Sequence, residues 1–253
     1  HKYEVIKEKY QKYTSVTTWV HSYFPKFDAD AIIKSMMNGK GWKEGHKYWG
    51  LSPDEIKASW NTTRDSSAGA GTNLHENIEK FMNNNNLKRG YTQKDLYDAY
   101  DKTNENENEN VEWDYFIKFI QDHLHLKPYR TEWIIYHEDV KIAGSVDMVY
   151  ENPDGTLEIY DWKRCKEITT INNWNQTATN ALISHMPASN FWQYALQLNT
   201  YKKIIEDKYG KKVTKLCLVR LHPDNPDETY ELINVPDLSE DISNLFEERK
   251  TTL

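Results

Sequence analysis

The sequence predicts an α/β fold in which a mixed central β-sheet is flanked by helices and preceded by a mainly helical N-terminal lobe. Three observations carry this. Apolar residues recur at helical spacing through the first third; the period changes to that of strands at Tyr129; and the remainder alternates helix, strand, strand and helix. The change of period divides the chain into residues 1–128, the helical lobe, and residues 129–253, the sheet with its flanking helices, the two forming one compact body.

Asp28–Met37 (DADAIIKSMM) and Ser52–Trp60 (SPDEIKASW) each open on a side chain able to cap a helix. Asn73–Met82 continues in the same style until Asn83–Asn86 breaks it. A further helix is predicted over Asp114–His123, where Tyr115, Phe116, Phe119 and Ile120 return at helical intervals. Between them Asn104–Asn110 (NENENEN) is polar and aperiodic, which predicts a surface loop. Then follow TEWIIYHE, VKIAGSVDMVY and TLEIYDWKR, short runs rich in β-branched and aromatic residues. Asn152-Pro153-Asp154-Gly155 between the last two is a strong turn signal, so these two form a hairpin. A helix over about Ala188–Asp207, strands over Lys215–Leu221 and Thr229–Val235, and a helix from about Leu238 complete the order.

With 253 residues the chain can bury a normal core without staples. Mean hydropathy is −0.87, and no apolar run approaches the roughly 20 residues of a membrane span, so no membrane partner is expected. No signal peptide is visible, although a first residue other than Met makes that absence weak support for any compartment. Two cysteines, Cys165 and Cys217, are too few for a disulfide framework or a four-thiolate iron–sulfur cluster and suit an intracellular reducing compartment such as cytoplasm, nucleus or viral factory. A net charge of −7 argues against coating nucleic acid by bulk attraction but leaves a local groove open.

The chemistry concentrates in the third strand. Alternation puts Leu157, Ile159, Asp161 and Lys163 on one face, so a carboxylate and an ammonium continue an apolar stripe. Burying such charges is costly unless they pair or meet a metal. Asp147 lies on the partner strand of the hairpin, within reach of Asp161. Two carboxylates and a lysine suit phosphodiester hydrolysis, where oxygens hold Mg²⁺ or Mn²⁺ and the lysine steadies the nucleophile or the developing charge. On spacing alone an ordinary solvent-side hairpin explains the pattern equally well. His75 and Glu79 in GTNLHENIE, and Gln197 and Tyr201 in QLNTY, are pairs four apart on single helical faces.

In order, G-x-x-L-H-x-x-x-E (Gly71–Glu79), G-x-x-D (Gly144–Asp147), D-x-K (Asp161–Lys163) and Q-x-x-x-Y (Gln197–Tyr201) resemble the RecB-like branch of the PD-(D/E)XK nuclease superfamily, which includes viral and mitochondrial genome-maintenance exonucleases. The resemblance covers about half the chain, and Tyr13–Phe27 looks like the Ser/Thr-rich segment that opens many such nucleases. It implies a restriction-endonuclease-like core and a Mg²⁺- or Mn²⁺-dependent nuclease, most simply a DNA exonuclease acting on single strands or ends. It implies His75, Asp147 and Asp161 as metal ligands, Lys163 as the catalytic lysine, and Gln197 and Tyr201 as residues that bind substrate or brace the site. Glu132 and Glu79 are weaker candidates. Asp161 stands where many members carry Glu, a shorter arm common in this branch. Two other readings compete: a silent nucleic-acid-binding or scaffold module, and an RNA endonuclease of the cap-snatching kind. DNA is the expected partner over RNA. Lysines cluster twice, as Lys34, Lys40, Lys43 and Lys47 with Trp42 and Trp49, and as Lys202, Lys203, Lys208, Lys211, Lys212 and Lys215. Either run is a solvated face or a track for phosphates.

Overall fold

The computed structural model describes residues 3–4, 12–83, 87, 90–100 and 110–253, so most of the polar repeat at 104–110 lies outside the described residues. By internal contacts the chain forms two units, Lys26–Asn73 and the rest, His1–Pro25 with Leu74–Leu253. The helices from Leu74 to residue 128 therefore belong with the sheet, whereas the change of period at Tyr129 had placed the expected boundary there.

The larger unit is built on a mixed sheet. Its strands are β1 (Tyr3–Glu4), β2 (Lys12–Ser15), β3 (Pro128–His137), β4 (Ile142–Glu151), β5 (Leu157–Lys163), β6 (Val213–Arg220) and β7 (Glu231–Asn234). Strand β4 organises it. β3 runs antiparallel along the whole of one edge, from Pro128↔Tyr150 to His137↔Ile142. The other edge is shared: β2 pairs in parallel with Ile142 and Ala143, and β5 pairs antiparallel with Met148–Glu151. Beyond β5 come β6, parallel, and β7, antiparallel. The β4–β5 turn is as expected, with Gly155 at φ +81° and its N–H donating to the Asn152 carbonyl at 2.9 Å.

Helices cover both faces. One core lies under α1 (Val16–His21), α6 (Asn190–Tyr209) and α7 (Ser239–Thr252) and takes Leu157 and Ile159 from β5. The opposite core lies under the end of α3 (Pro53–Met82), α4 (Gln93–Asp98) and α5 (Val111–Asp122) and takes Tyr160 and Trp162. The alternation read from the sequence for β5 is thus the alternation of the two cores. Among the described residues no helix is long and apolar enough to cross a membrane.

The smaller unit holds α2 (Ala29–Met37) and α3 as far as Asn73. Asp28 caps α2 by accepting from the Ala31 N–H at 3.0 Å. Ser52–Trp60 and Asn73–Met82 prove to be the two ends of one 30-residue helix. The polar middle had hidden this, yet it loses little by being helical: Thr62, Thr63 and Thr72 turn their hydroxyls back onto carbonyls four residues earlier, each at 3.0 Å. Its ends are fixed by the reciprocal Ser52–Glu55 cap and by burial of Leu74, Ile78 and Met82.

Two of the four motifs meet in the core. A Cβ on Gly144 would lie 2.7 Å from Tyr201 Cε1 and 3.0 Å from Val16 Cγ2, so β4 needs glycine where the α6 tyrosine presses on it. Gly144→Ala is expected to destabilise the fold by about 1–3 kcal/mol through overpacking. A thermal melt within a degree of wild type would show that the ring has room to move.

Candidate metal centre

The site forms where the sheet loses its regularity. In β4, Val146 and Val149 both enter the α6-side core, while Met148 and Tyr150 enter the other, so the alternation slips by one residue at Asp147. The opposing residue on β3, between the pairs Thr131↔Met148 and Trp133↔Val146, is Glu132, at φ +44°. A non-glycine residue held there is strained, and such strain gathers at functional positions. On the other edge the β4–β5 ladder ends at Met148↔Tyr160. One step further along that register Asp147 stands opposite Asp161, and the Asp147 side chain enters the opening, its Oδ2 accepting from the Trp162 N–H at 3.0 Å.

His75 reaches this opening from the last turns of α3. Its Nε2 lies 3.0 Å from the Trp162 carbonyl, and since a carbonyl only accepts, Nε2 carries a proton. That leaves Nδ1 facing the acids, 3.6 Å from Asp147 Oδ2 and 3.8 Å from Glu132 Oε1. Ligand atoms of His75, Glu132 and Asp147 all lie within 4.8 Å of one another. Ser145 donates to Glu132 Oε2 at 2.7 Å, and Thr131 donates to the Asp147 carbonyl at 3.1 Å, so the residues beside each acid hold it in place.

Asp161 is 1% exposed, and neither of its buried oxygens accepts a hydrogen bond of good geometry. Its counter-charge is Lys163, whose ammonium is in ion-pair contact with Oδ2 and lies 4.6 Å from the centroid of the Tyr194 ring on α6. The two residues share a strand face, as the spacing predicted, but the lysine also has an aromatic neighbour that the sequence had not marked.

Protonation reflects the crowding. Burial pushes the Asp147 carboxyl up to about 7, with Asp161 adding to the push and His75 and Lys163 opposing it. Burial works to lower the His75 pKa, but Asp147 and then Glu132 outweigh it and hold the imidazolium to about 9. Glu132 is likewise pushed up by burial and brought below its usual range by His75 and Ser145. Burial favours loss of the Lys163 proton, and Asp161 and Asp147 together retain it. Two acids and an imidazole are thus crowded into one spot, with the buried Asp161–Lys163 pair acting on them from outside that group.

No family model and no curated protein matches this chain. Among solved structures, that of SSO0001 shares 13% identity with a TM-score of 0.30, over 63% of this chain and 65% of that one. The chain spans about two thirds of that protein, and a likeness of this size supports no argument about function.

Of the remaining expected residues, Gln197 and Tyr201 bond to each other, the amide donating to the phenol at 2.9 Å. Tyr201 is buried beneath Gly144 and braces β4; Gln197 is half-buried one turn before it. Glu79, one turn beyond His75, is outside the group of three. Glu132, the weaker candidate, stands within it. The signal that could have promoted it is its register opposite Asp147, which three uninterrupted strand patterns imply. A cleft of about 460 Å³ adjoins the site through Thr131 and Met148 and is also lined by Tyr91, Lys127, Tyr129 and Arg130.

Proposed function

We propose that this chain is a metal-dependent nuclease of the PD-(D/E)XK type, with a restriction-endonuclease-like core, that hydrolyses phosphodiester bonds, most simply as a DNA exonuclease on single strands or ends. The observation that carries the reading is the meeting of His75, Glu132 and Asp147, whose ligand atoms lie within 4.8 Å of one another, with Asp161, a buried carboxylate paired to Lys163, next in register to Asp147. Oxygens and one imidazole fit Mg²⁺ or Mn²⁺, and His75, Glu132, Asp147 and Asp161 would hold it.

When bound, the ion would neutralise the crowded acids, polarise the phosphate and lower the pKa of a bound water. The chain's own part is positioning and charge. The Trp162 carbonyl fixes the His75 tautomer so that Nδ1 serves as ligand. Lys163 offers a compact ammonium beside the reacting atoms, and Tyr194 limits where it can swing. Arg130 and Tyr129, in the adjoining cleft, form a cation–ring pair at 4.7 Å that suits a phosphate and a base.

The test is cleavage of end-labelled single- and double-stranded DNA and RNA with Mg²⁺, Mn²⁺ or EDTA, beside Asp161→Ala. Metal-dependent cleavage by wild type and its loss in the variant are expected. Binding without cleavage would favour the silent module, and cleavage confined to RNA the endonuclease alternative.

Metal affinity should also depend on pH. Below about 9 the His75 Nδ1 is protonated, and below about 7 so is Asp147, so a cation must displace protons to enter. Mn²⁺ affinity is therefore expected to rise steadily from pH 6 to 9. Calorimetry in buffers of different ionisation enthalpy should register the released protons, and a flat affinity across that range would place the ion elsewhere.

A further inference from the structure

The two lysine runs look alike in sequence and differ in structure. Five of the six in the second run, Lys202, Lys203, Lys208, Lys211 and Lys215, are engaged by carboxylates, namely Asp237, Asp207, Asp139 with Glu138, Glu151 and Glu158, while Lys212 is exposed and has no ion pair among the described residues. Within the smaller unit, Lys57 is likewise paired with Asp30. Lys34, Lys40, Lys43 and Lys47 are exposed, and among the described residues none of them has an ion pair.

Three of these lysines share a stretch with an aromatic surface, and the Lys47 ammonium lies 5.0 Å from the centroid of the Tyr48 ring. Residues 38–51 (NGKGWKEGHKYWGL) form successive tight turns, with N–H groups of Trp42, His46, Trp49 and Leu51 each donating three residues back at 2.8–3.1 Å. Gly45 and Gly50, at φ +94° and +85°, allow the reversals. The turns gather rings into a chain: Trp42 lies 5.0 Å from His46 and 5.7 Å from Trp49, Tyr48 lies 6.0 Å from His46 and 6.1 Å from Trp60, and Phe27 lies 5.9 Å from Trp60. The purpose is not burial alone, because Trp49 remains 48% exposed and Phe27 72%. In a chain of net charge −7, this stretch has three lysines to one acid, Glu44.

We propose that the Lys26–Asn73 unit binds single-stranded nucleic acid, with Trp49 and Phe27 stacking unpaired bases and Lys40, Lys43 and Lys47 contacting phosphates. Stacking on rings is tolerant of sequence because every base has a π-face, and exposed ammonium groups without carboxylate partners follow a backbone without fixed spacing. Paired bases would hide the faces that the rings need, so single strands are preferred over duplex. Glycines beside the lysines keep the approach of a polyanion free of side chains. The proposal does not require the metal centre, and binding would stand if cleavage failed.

The test uses the full chain in EDTA, where no cleavage intrudes, and follows fluorescence anisotropy of labelled oligo-dT, oligo-U and a duplex, each of about 20 nucleotides. The variants are Lys40→Gln/Lys43→Gln/Lys47→Gln and Trp49→Ala, all exposed positions, with circular dichroism to verify folding. The triple variant should lose tenfold or more in affinity for oligo-dT, and its slope of log affinity against log salt should flatten by up to about 2, at about 0.7 per phosphate contact. Trp49→Ala should lose affinity with its slope unchanged. Unaltered affinity and slope in both variants would overturn the proposal. So would equal affinity for the duplex, or equal competition by poly-glutamate, since a charge-only surface would be indifferent to bases.

Discussion

Lys163→Met is expected to leave a folded protein that still binds Mn²⁺ but turns over at about one hundredth of the wild-type rate or less. Methionine keeps most of the stem, so packing against Tyr194 survives and only the ammonium goes. The structure adds a second consequence. Asp161 is buried and Lys163 is its counter-charge, so the metal-free variant leaves an unpaired carboxylate in the interior, a costly arrangement. Its melting temperature should therefore fall without metal and recover with Mn²⁺ by more than wild type recovers, because the cation supplies the missing charge. Arginine should rescue turnover poorly, since a planar guanidinium beside Asp161 and Tyr194 differs from an ammonium in shape and hydration. Rapid metal-dependent cleavage by folded Lys163→Met would move the catalytic group elsewhere.

Asp147→Asn should have the larger effect on metal and the opposite effect on stability. Losing a ligand should cost more than the 10–100-fold in affinity that outer partners cost, and both the Mn²⁺-induced rise in melting temperature and the cleavage should vanish. Metal-free, the same variant should melt higher than wild type. The folded-state pKa of Asp147 is raised to about 7 from 3.8, so ionising it opposes folding. The penalty grows as pH rises from about 4 and is complete above about 7. The gain from asparagine, which can still accept from the Trp162 N–H, should follow that curve: small at pH 4.5, largest at pH 8, and roughly 2–4 °C for each kcal/mol relieved. An acid held at the expense of stability is the trade that the proposed metal site would require. Melting temperatures of the two proteins that stay parallel from pH 4.5 to 8 would show that Asp147 is not under this strain.

Much of this was legible in the sequence. Strands β3, β4 and β5, their hairpin turn, and the shared face of Asp161 and Lys163 follow from period two and turn chemistry, which are local. The convergence of His75 with the acids was implied only through resemblance, because a helix and two strands separated by more than fifty residues meet through packing. The slip at Glu132 and Asp147 was not legible at all: both strands read as unbroken patterns, and the kink exists only where they face each other. Glu132 stood as a weaker candidate, and the structure brings it together with His75 and Asp147. Tyr194 escaped notice because an aromatic residue on an amphipathic helix carries no mark of the charge it covers. Strand β2 was passed over because its parallel pairing to Ile142 and Ala143 is long-range and its four residues are too few to show a period. The lysine runs make the same point, since composition cannot tell an ammonium with a carboxylate neighbour from one without.

The most direct measurement is anomalous diffraction at the manganese edge from crystals of the full chain soaked in Mn²⁺. A peak bounded by His75 Nδ1, Glu132, Asp147 and Asp161 is predicted, with Lys163 adjacent and the peak absent in Asp147→Asn. Manganese density elsewhere on the protein, and none between these residues, would contradict the account.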